Sequence, residues 1–296
     1  MEWGISLFER LIINKVEMRM LKMQRRMRPE ISRLLYPVYG PELENFEKED
    51  RRLAIPGMGN LNTWFVGHEF QERKDTQKST LNFEEGAWIA EFAAYLVING
   101  TPAEDISILT FYNGQRRHII KCLRNHPVLC GKPQPGVFTV DSYQGEENEI
   151  ILLSLVRNND KKNPGFTSNP NRVNVALSRA RRGLYIFGNM RLLWHAGGDL
   201  WADVLQILDN QGPESTQLRG GAIAGARIGT SLPITCGVPT YETDQQACPQ
   251  LCDRDHEPAT TLIRSAADLV DLNGGCGKKC LRLLPCGHDC PYKCHP

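Results

Sequence analysis

Residues 149–156 read EIILLSLV, with apolar side chains on consecutive rather than alternate positions. Successive strand residues point to opposite faces, so this segment needs cover on both, as an interior parallel strand between helices has. TWFVG at 63–67 and ISILT at 106–110 read as further strands, and LYIFG at 184–188 closes the sheet. The intervening segments carry helical spacing: after Asn82, a capping residue with Glu85 in capping-box position, Trp88, Phe92 and Leu96 recur every four residues. FYNGQRRHIIKCLR turns from a strand end into a second helix, where Gln115 and Arg116 could face a ligand or serve as cap and surface groups. Asn169 caps a basic helix with Pro170 in its first turn, and LWADVLQIL gives a last helix. The chain reads as α/β, a parallel sheet with flanking helices.

The stretch from Phe138 to Gly188 places charged residues at strand ends, where open α/β sheets bind ligands. Arg172 and Arg179 are seven residues apart, two helical turns, which predicts that one helix face aims both guanidinium groups at a shared anion, most plausibly phosphate. A second basic run lies upstream: from Arg19 to Arg28 there are five basic residues and no acidic one. It is either a solvated face or an anion site. Overall, 35 Lys and Arg balance 34 Asp and Glu, so any attraction for nucleic acid has to be local.

With 296 residues the chain can bury one full core and carry an appendage. Of its ten cysteines only Cys122 and Cys130 precede residue 236. The other eight define a separate module from 236 to 296, preceded by a Gly- and Ser-rich linker at 211–235. No apolar stretch is long enough to span a bilayer, and there is no secretory leader pattern; the reading is an intracellular protein, cytoplasmic or nuclear, in which clustered cysteines favour zinc over disulfides. Met1 opens directly into the amphipathic ISLFERLI without a preceding strand, which leaves two readings, a fragment or a complete gene product.

QRRMRP at 24–29, VDSYQGEENEI at 140–150 and NRVNVALSRAR at 171–181, in this order, resemble motifs IV, V and VI of the Upf-like superfamily 1 RNA helicases. The resemblance covers roughly residues 1–210 and implies the second RecA-like domain of such an enzyme. It implies that ATP with Mg²⁺ sits in a cleft shared with an N-terminal RecA-like domain that this chain lacks. No G-x-x-x-x-G-K-[ST] loop occurs in the sequence, and no acidic pair follows an apolar strand to hold Mg²⁺. The polypeptide alone is therefore expected to be ATPase-silent.

By the same resemblance Arg26 and Arg179 are the catalytic arginines that reach the γ-phosphate, where fixed positive charge stabilises the spreading oxygen charge. Gln24, Arg25, Gln144, Gly145 and Glu147 are implied nucleotide-binding residues. Arg25 departs from the family, in which many relatives carry an aromatic residue that stacks on adenine. Asn82 and Glu85 match a short S-x-L-N-x-x-E element, which their capping role explains equally well. Thr110, Thr139 and Ser142 are implied RNA-backbone contacts, of a kind that gives affinity without sequence choice.

The end of the chain, CGKKCLRLLPCGHDCPYKCHP at 276–296, has the density of thiolate and imidazole ligands that tetrahedral zinc requires: Cys276, Cys280, Cys286, His288, Cys290, Cys294 and His295. It resembles the NFX-type zinc finger, found beside Upf-like helicase domains. Cys248, Cys252 and His256 could supply half of another site. The leading reading is thus the C-terminal half of an ATP-dependent RNA helicase with a zinc-bound module. The alternative is a non-catalytic RNA-binding module, or a zinc-mediated interaction module with protein partners, derived from such a helicase.

Overall fold

In the computed structural model, which describes residues 7–46, 53–209, 226–235, 260–272, 274–275 and 286, the run EIILLSLV lies where its composition requires. Six strands form one sheet: β1 (Thr63–Gly67), β2 (Ile106–Thr110), β3 (Gly136–Thr139), β4 (Asn148–Ser154), β5 (Ala180–Gly188) and β6 (Ile228–Gly229). Their order is β6-β1-β5-β4-β2-β3 and every pairing is parallel. β4 is interior, and its side chains divide by parity. Ile150 and Leu152 join one buried cluster, whereas Ile151 and Leu153 join the other. β5 divides likewise, Tyr185 and Phe187 against Leu184 and Ile186. It pairs with β1 and β4, so LYIFG is an inner strand and does not close the sheet.

The first cluster is covered by α1 (Phe83–Ile98) and α2 (Asn113–Asn125). Trp88, Phe92 and Leu96 are all buried there, as the four-residue spacing predicts. The second cluster is covered by α3 (Pro170–Leu177), by α5 (Asp199–Asp209), which follows the shorter α4 (Met190–Ala196), and by the segment carrying Ile31, Leu34 and Leu35. Caps fall where expected: Asn169 Oδ1 accepts from Arg172 N at 3.1 Å, with Pro170 in the first turn.

Some of what reads as linker or cysteine region belongs to this core. β6 comes from the Gly-rich stretch and adds an edge next to β1. Leu232–Thr235 pairs antiparallel with Thr260–Ile263, and Ile234, Ile263, Leu269 and Leu272 join the first cluster. The Trp64 indole donates to Ser231 O at 2.9 Å and the Asn99 amide to Gly274 O at 3.0 Å, tying these pieces to the sheet. Within the expected surface loop 40–60, Ile55 and Met58 are buried. By contrast, the helix Leu7–Ile13 buries no residue.

β3 and β4 are joined without an α-helix. Residues 140–147 pass beneath β2, with Val140 and Tyr143 in the second cluster and Tyr143 Oη 3.0 Å from Ser107 Oγ. The connection therefore begins where strands end and finishes where strands start.

Candidate functional site

Two edges of the sheet carry the residues that the sequence singles out. At the edge where strands begin, QRRMRP is folded into a knuckle by Gln24. Its Oε1 accepts from Arg26 N at 2.9 Å and Met27 N at 2.8 Å, and its Nε2 donates to Met27 O and Asn45 Oδ1. Gln24 is thus occupied with its own backbone and shapes the site from beneath. The knuckle sends Arg26 across to the start of β4 and β5. Its Nε pairs with the Glu147 carboxylate, and an Nη donates to Ser178 O at 2.9 Å.

Arg179 arrives from the other side. Its guanidinium donates to Val175 O, Glu146 O and Ser178 Oγ at 2.9, 3.2 and 2.7 Å. Burial lowers the Arg179 pKa, and the neighbouring positive charge of Arg26 lowers it further. Arg181 and Arg182 border the same place: Arg181 lies 3.0 Å from Glu149 and 3.7 Å from Glu147, and Arg182 lies 3.9 Å from Glu149. Arg26, Arg181 and Arg182 therefore face the carboxylates of Glu147 and Glu149 across a partly exposed surface, with Arg179 beside Arg26. Arg181, Arg182 and Glu149 were not singled out from sequence, although the arginines continue the ALSRAR motif itself.

The expectation that Arg172 and Arg179 share a helix face is corrected. α3 stops at Leu177, because the carbonyl of Arg179 is taken into the sheet as acceptor for Asn148 N at 3.1 Å. Arg172 turns to the opposite edge and forms a two-point pair with Asp141, at 2.8 and 2.9 Å. The remaining nucleotide candidates are exposed. Arg25 lies over the Phe46 ring, 4.6 Å from its centroid. Gln144, Gly145 and Glu147 form the turn that enters β4, where Gly145 has φ +92°, a conformation that favours glycine.

At the edge where strands end, the Thr139 hydroxyl donates to Ser142 Oγ at 2.9 Å and Ser142 is exposed. Thr110 does not join them at the surface. Its side chain is fully buried and its Oγ1 has no partner, so a direct RNA contact through that hydroxyl is corrected to a packing role. Gln115 is buried too, its Oε1 accepting from Asn82 N at 2.8 Å, and Arg116 donates to Val137 O at 2.9 Å.

The Asn82/Glu85 element forms half a capping box. Asn82 Oδ1 accepts from Glu85 N at 3.1 Å, but the Glu85 carboxylate turns inward. There it takes bonds from the Ser154 hydroxyl, Val156 N at 3.0 Å and His68 Nε2 at 2.8 Å. Phe70 N donates to His68 Nδ1 at 3.3 Å, so the ring proton facing Glu85 sits on Nε2. Val156 has φ +71°, strained for a β-branched residue, and is held by Glu85 and by the Asn82 amide on its carbonyl at 3.3 Å. This buried hub fixes the ends of β1 and β4 to the start of α1.

Of the expected zinc ligands only Cys286 is among the described residues, and it is exposed. Cys248, Cys252, His256, Cys276, Cys280, His288, Cys290, Cys294 and His295 lie outside them. Among the described residues no group of three or more His, Cys, Asp or Glu could hold a metal ion, and no helix is long and apolar enough to cross a membrane.

An all-parallel six-stranded sheet covered on both faces, with arginines from two distant motifs meeting at one edge, makes an α/β domain consistent with a RecA-like fold. The chain belongs to the AAA domain family, whose model matches residues 3–191. It is 45% identical over 207 residues, 70% of its length, to the helicase required for RNAi-mediated heterochromatin assembly 1 of Schizosaccharomyces pombe. It is 37% identical over 294 residues, 99% of its length, to the NFX1-type zinc finger-containing protein 1 of Mus musculus. To the regulator of nonsense transcripts 1 homolog of Drosophila melanogaster it is 33% identical over 212 residues, 68% of its length. With these relatives the chain is a helicase-type domain. It spans 20%, 13% and 18% of their respective lengths.

Proposed function

We propose that the chain is the second RecA-like domain of an Upf-like superfamily 1 RNA helicase, occupying residues 1–210, followed by a zinc-binding region with an NFX-type finger at 276–296. The observation that carries this reading is the meeting of Arg26 and Arg179. Two guanidinium groups from distant segments are held side by side, by carbonyls and one carboxylate, and burial, with their mutual repulsion added, lowers the Arg179 pKa. A polyphosphate fits such a cluster, because it supplies the countercharge that Glu147 only partly provides.

ATP bound in a cleft with a P-loop domain would bring the phosphoryl group to be transferred. Arg26 and Arg179 would stabilise its developing negative charge, and Glu147 would exchange its pairing with Arg26 for a place near the ribose and phosphates. Mg²⁺ would be held by the partner domain, since Glu147 and Glu149 are already paired with arginines. RNA would pass over the opposite edge, by Thr139 and Ser142.

The test joins this chain to a P-loop domain of a relative and measures RNA-stimulated ATP hydrolysis. Arg179→Ala is expected to lower turnover by about 10³- to 10⁵-fold with RNA affinity retained, and Arg179→Lys, which keeps the charge without the planar fork, is expected to rescue little. Unchanged turnover in Arg179→Ala would overturn the assignment. The zinc region has its own support, since the match to the murine zinc finger-containing relative covers 99% of this chain. Native mass spectrometry is expected to show bound zinc, and a metal-free chain would refute that part.

A further inference from the structure

Two stacked aromatic rings flanked by guanidinium groups form a row across the edge where strands end. Tyr112, just past β2, is buried, and its ring stacks on that of Phe166, with centroids 5.4 Å apart and planes 28° from parallel. The Arg172 guanidinium lies over the Phe166 ring, 4.6 Å from the centroid, and Arg157 lies 5.7 Å from the centroid of Tyr112. Phe166 itself is 51% exposed.

The row is fixed rather than incidental. Phe166 N and an Arg157 Nη both donate to the Tyr112 hydroxyl, at 3.1 and 3.0 Å, and Arg157 is anchored on Glu72 at 2.8 Å. Gly165 has φ +58°, and a Cβ there would overlap the Arg157 guanidinium and crowd the Tyr112 hydroxyl. The far end is tied to the proposed backbone contacts, because Arg172 is gripped by Asp141, the residue before Ser142. An ion pair as exposed as Arg172–Asp141 stabilises a fold little; it serves here to orient the guanidinium plane.

We infer that Phe166 and Arg172 form a stacking platform for one unpaired nucleobase of a single strand whose phosphates and sugars run past Thr139 and Ser142. The inference deepens the proposed function and rests on its RNA-facing edge. Aromatic faces beside fixed guanidinium groups are the surface on which unstacked bases bind without hydrogen-bond readout. The flat guanidinium face of Arg172, oriented by Asp141 over the Phe166 ring, suits a planar base rather than an apolar peptide segment.

The full chain, as wild type, Phe166→Ala and Phe166→Trp, is titrated with fluorescein-labelled single-stranded oligoadenylate and with an abasic ribose-phosphate strand of equal length. Phe166→Ala is expected to weaken oligoadenylate binding by about 5- to 150-fold, the ~1 to 3 kcal/mol of one base–aromatic stack, while leaving the abasic strand and the salt slope unchanged. Phe166→Trp is expected to restore affinity, with indole fluorescence quenched by oligoadenylate and not by the abasic strand. Equal affinity of wild type and Phe166→Ala for oligoadenylate, or equal losses on both strands, would overturn the platform. Wild type that binds neither strand would instead overturn the RNA-facing edge on which the platform rests.

Discussion

Replacing Glu85 by Ala tests whether the buried hub, rather than a surface function, accounts for the Asn82/Glu85 element. The carboxylate is fully buried and accepts from three donors: the Ser154 hydroxyl, Val156 N and His68 Nε2. Each donor stranded without a partner costs about 1 to 3 kcal/mol. Water entering the vacated space recovers part of that sum, and release of Val156 from φ +71° recovers a little more, so the expected loss is about 3 to 5 kcal/mol. Ser154→Ala removes one donor and leaves the carboxylate two partners; its expected cost is about 1 kcal/mol. Denaturant unfolding with a double-mutant cycle reads both values. A Glu85→Ala loss below about 1 kcal/mol, or equal losses in the two single variants, would refute the hub.

Two further outcomes follow from burial. Thr110→Val replaces a buried, unpartnered hydroxyl by a methyl, so stability is expected to stay level or rise by up to about 1 kcal/mol with RNA affinity unchanged; a fall in affinity by titration would restore Thr110 as a contact. Burial lowers the His118 pKa, so the unfolded chain binds the proton more readily. The contribution of His118 is whole above its unfolded value, near pH 6.5, and is lost as pH falls through the lower folded value. The stability difference between wild type and His118→Gln should therefore shrink as pH falls from 7 to 5, and a difference that grows on acidification would contradict the assignment.

Much of the sheet is legible in the chain because its strands state their burial locally. EIILLSLV needs cover on both faces, and Asn82, Asn169 and Pro170 mark helix starts by chemistry that acts within three residues. The candidate site is legible as residue types but not as geometry. Helical spacing alone would continue α3 through Arg179; it ends early because a strand distant in sequence claims the Arg179 carbonyl. Thr110 and Gln115 look like ligand groups at strand and helix ends, yet neighbouring elements bury both. The pieces at 226–235 and 260–272 escape notice because each is short and takes its place only against Trp64 and α1, far away in the chain.

The connection between β3 and β4, which holds no α-helix, acts as a strap with little slack. The register sets Thr139 level with Thr110 and hence with Ser154, six residues beyond Asn148 along β4. Six strand residues and two strand spacings separate the ends of the strap by about 22 Å. Nine peptide steps reach at most about 32 Å, and the helical turn at Asp141–Tyr143 shortens that to roughly 28 Å. Glu147 at one rim and Ser142 at the other are thus moored by a line only a few ångströms longer than the gap it bridges. A larger excursion of Glu147 has to be drawn from the Asp141–Tyr143 turn, and with it from the anchor that holds Arg172.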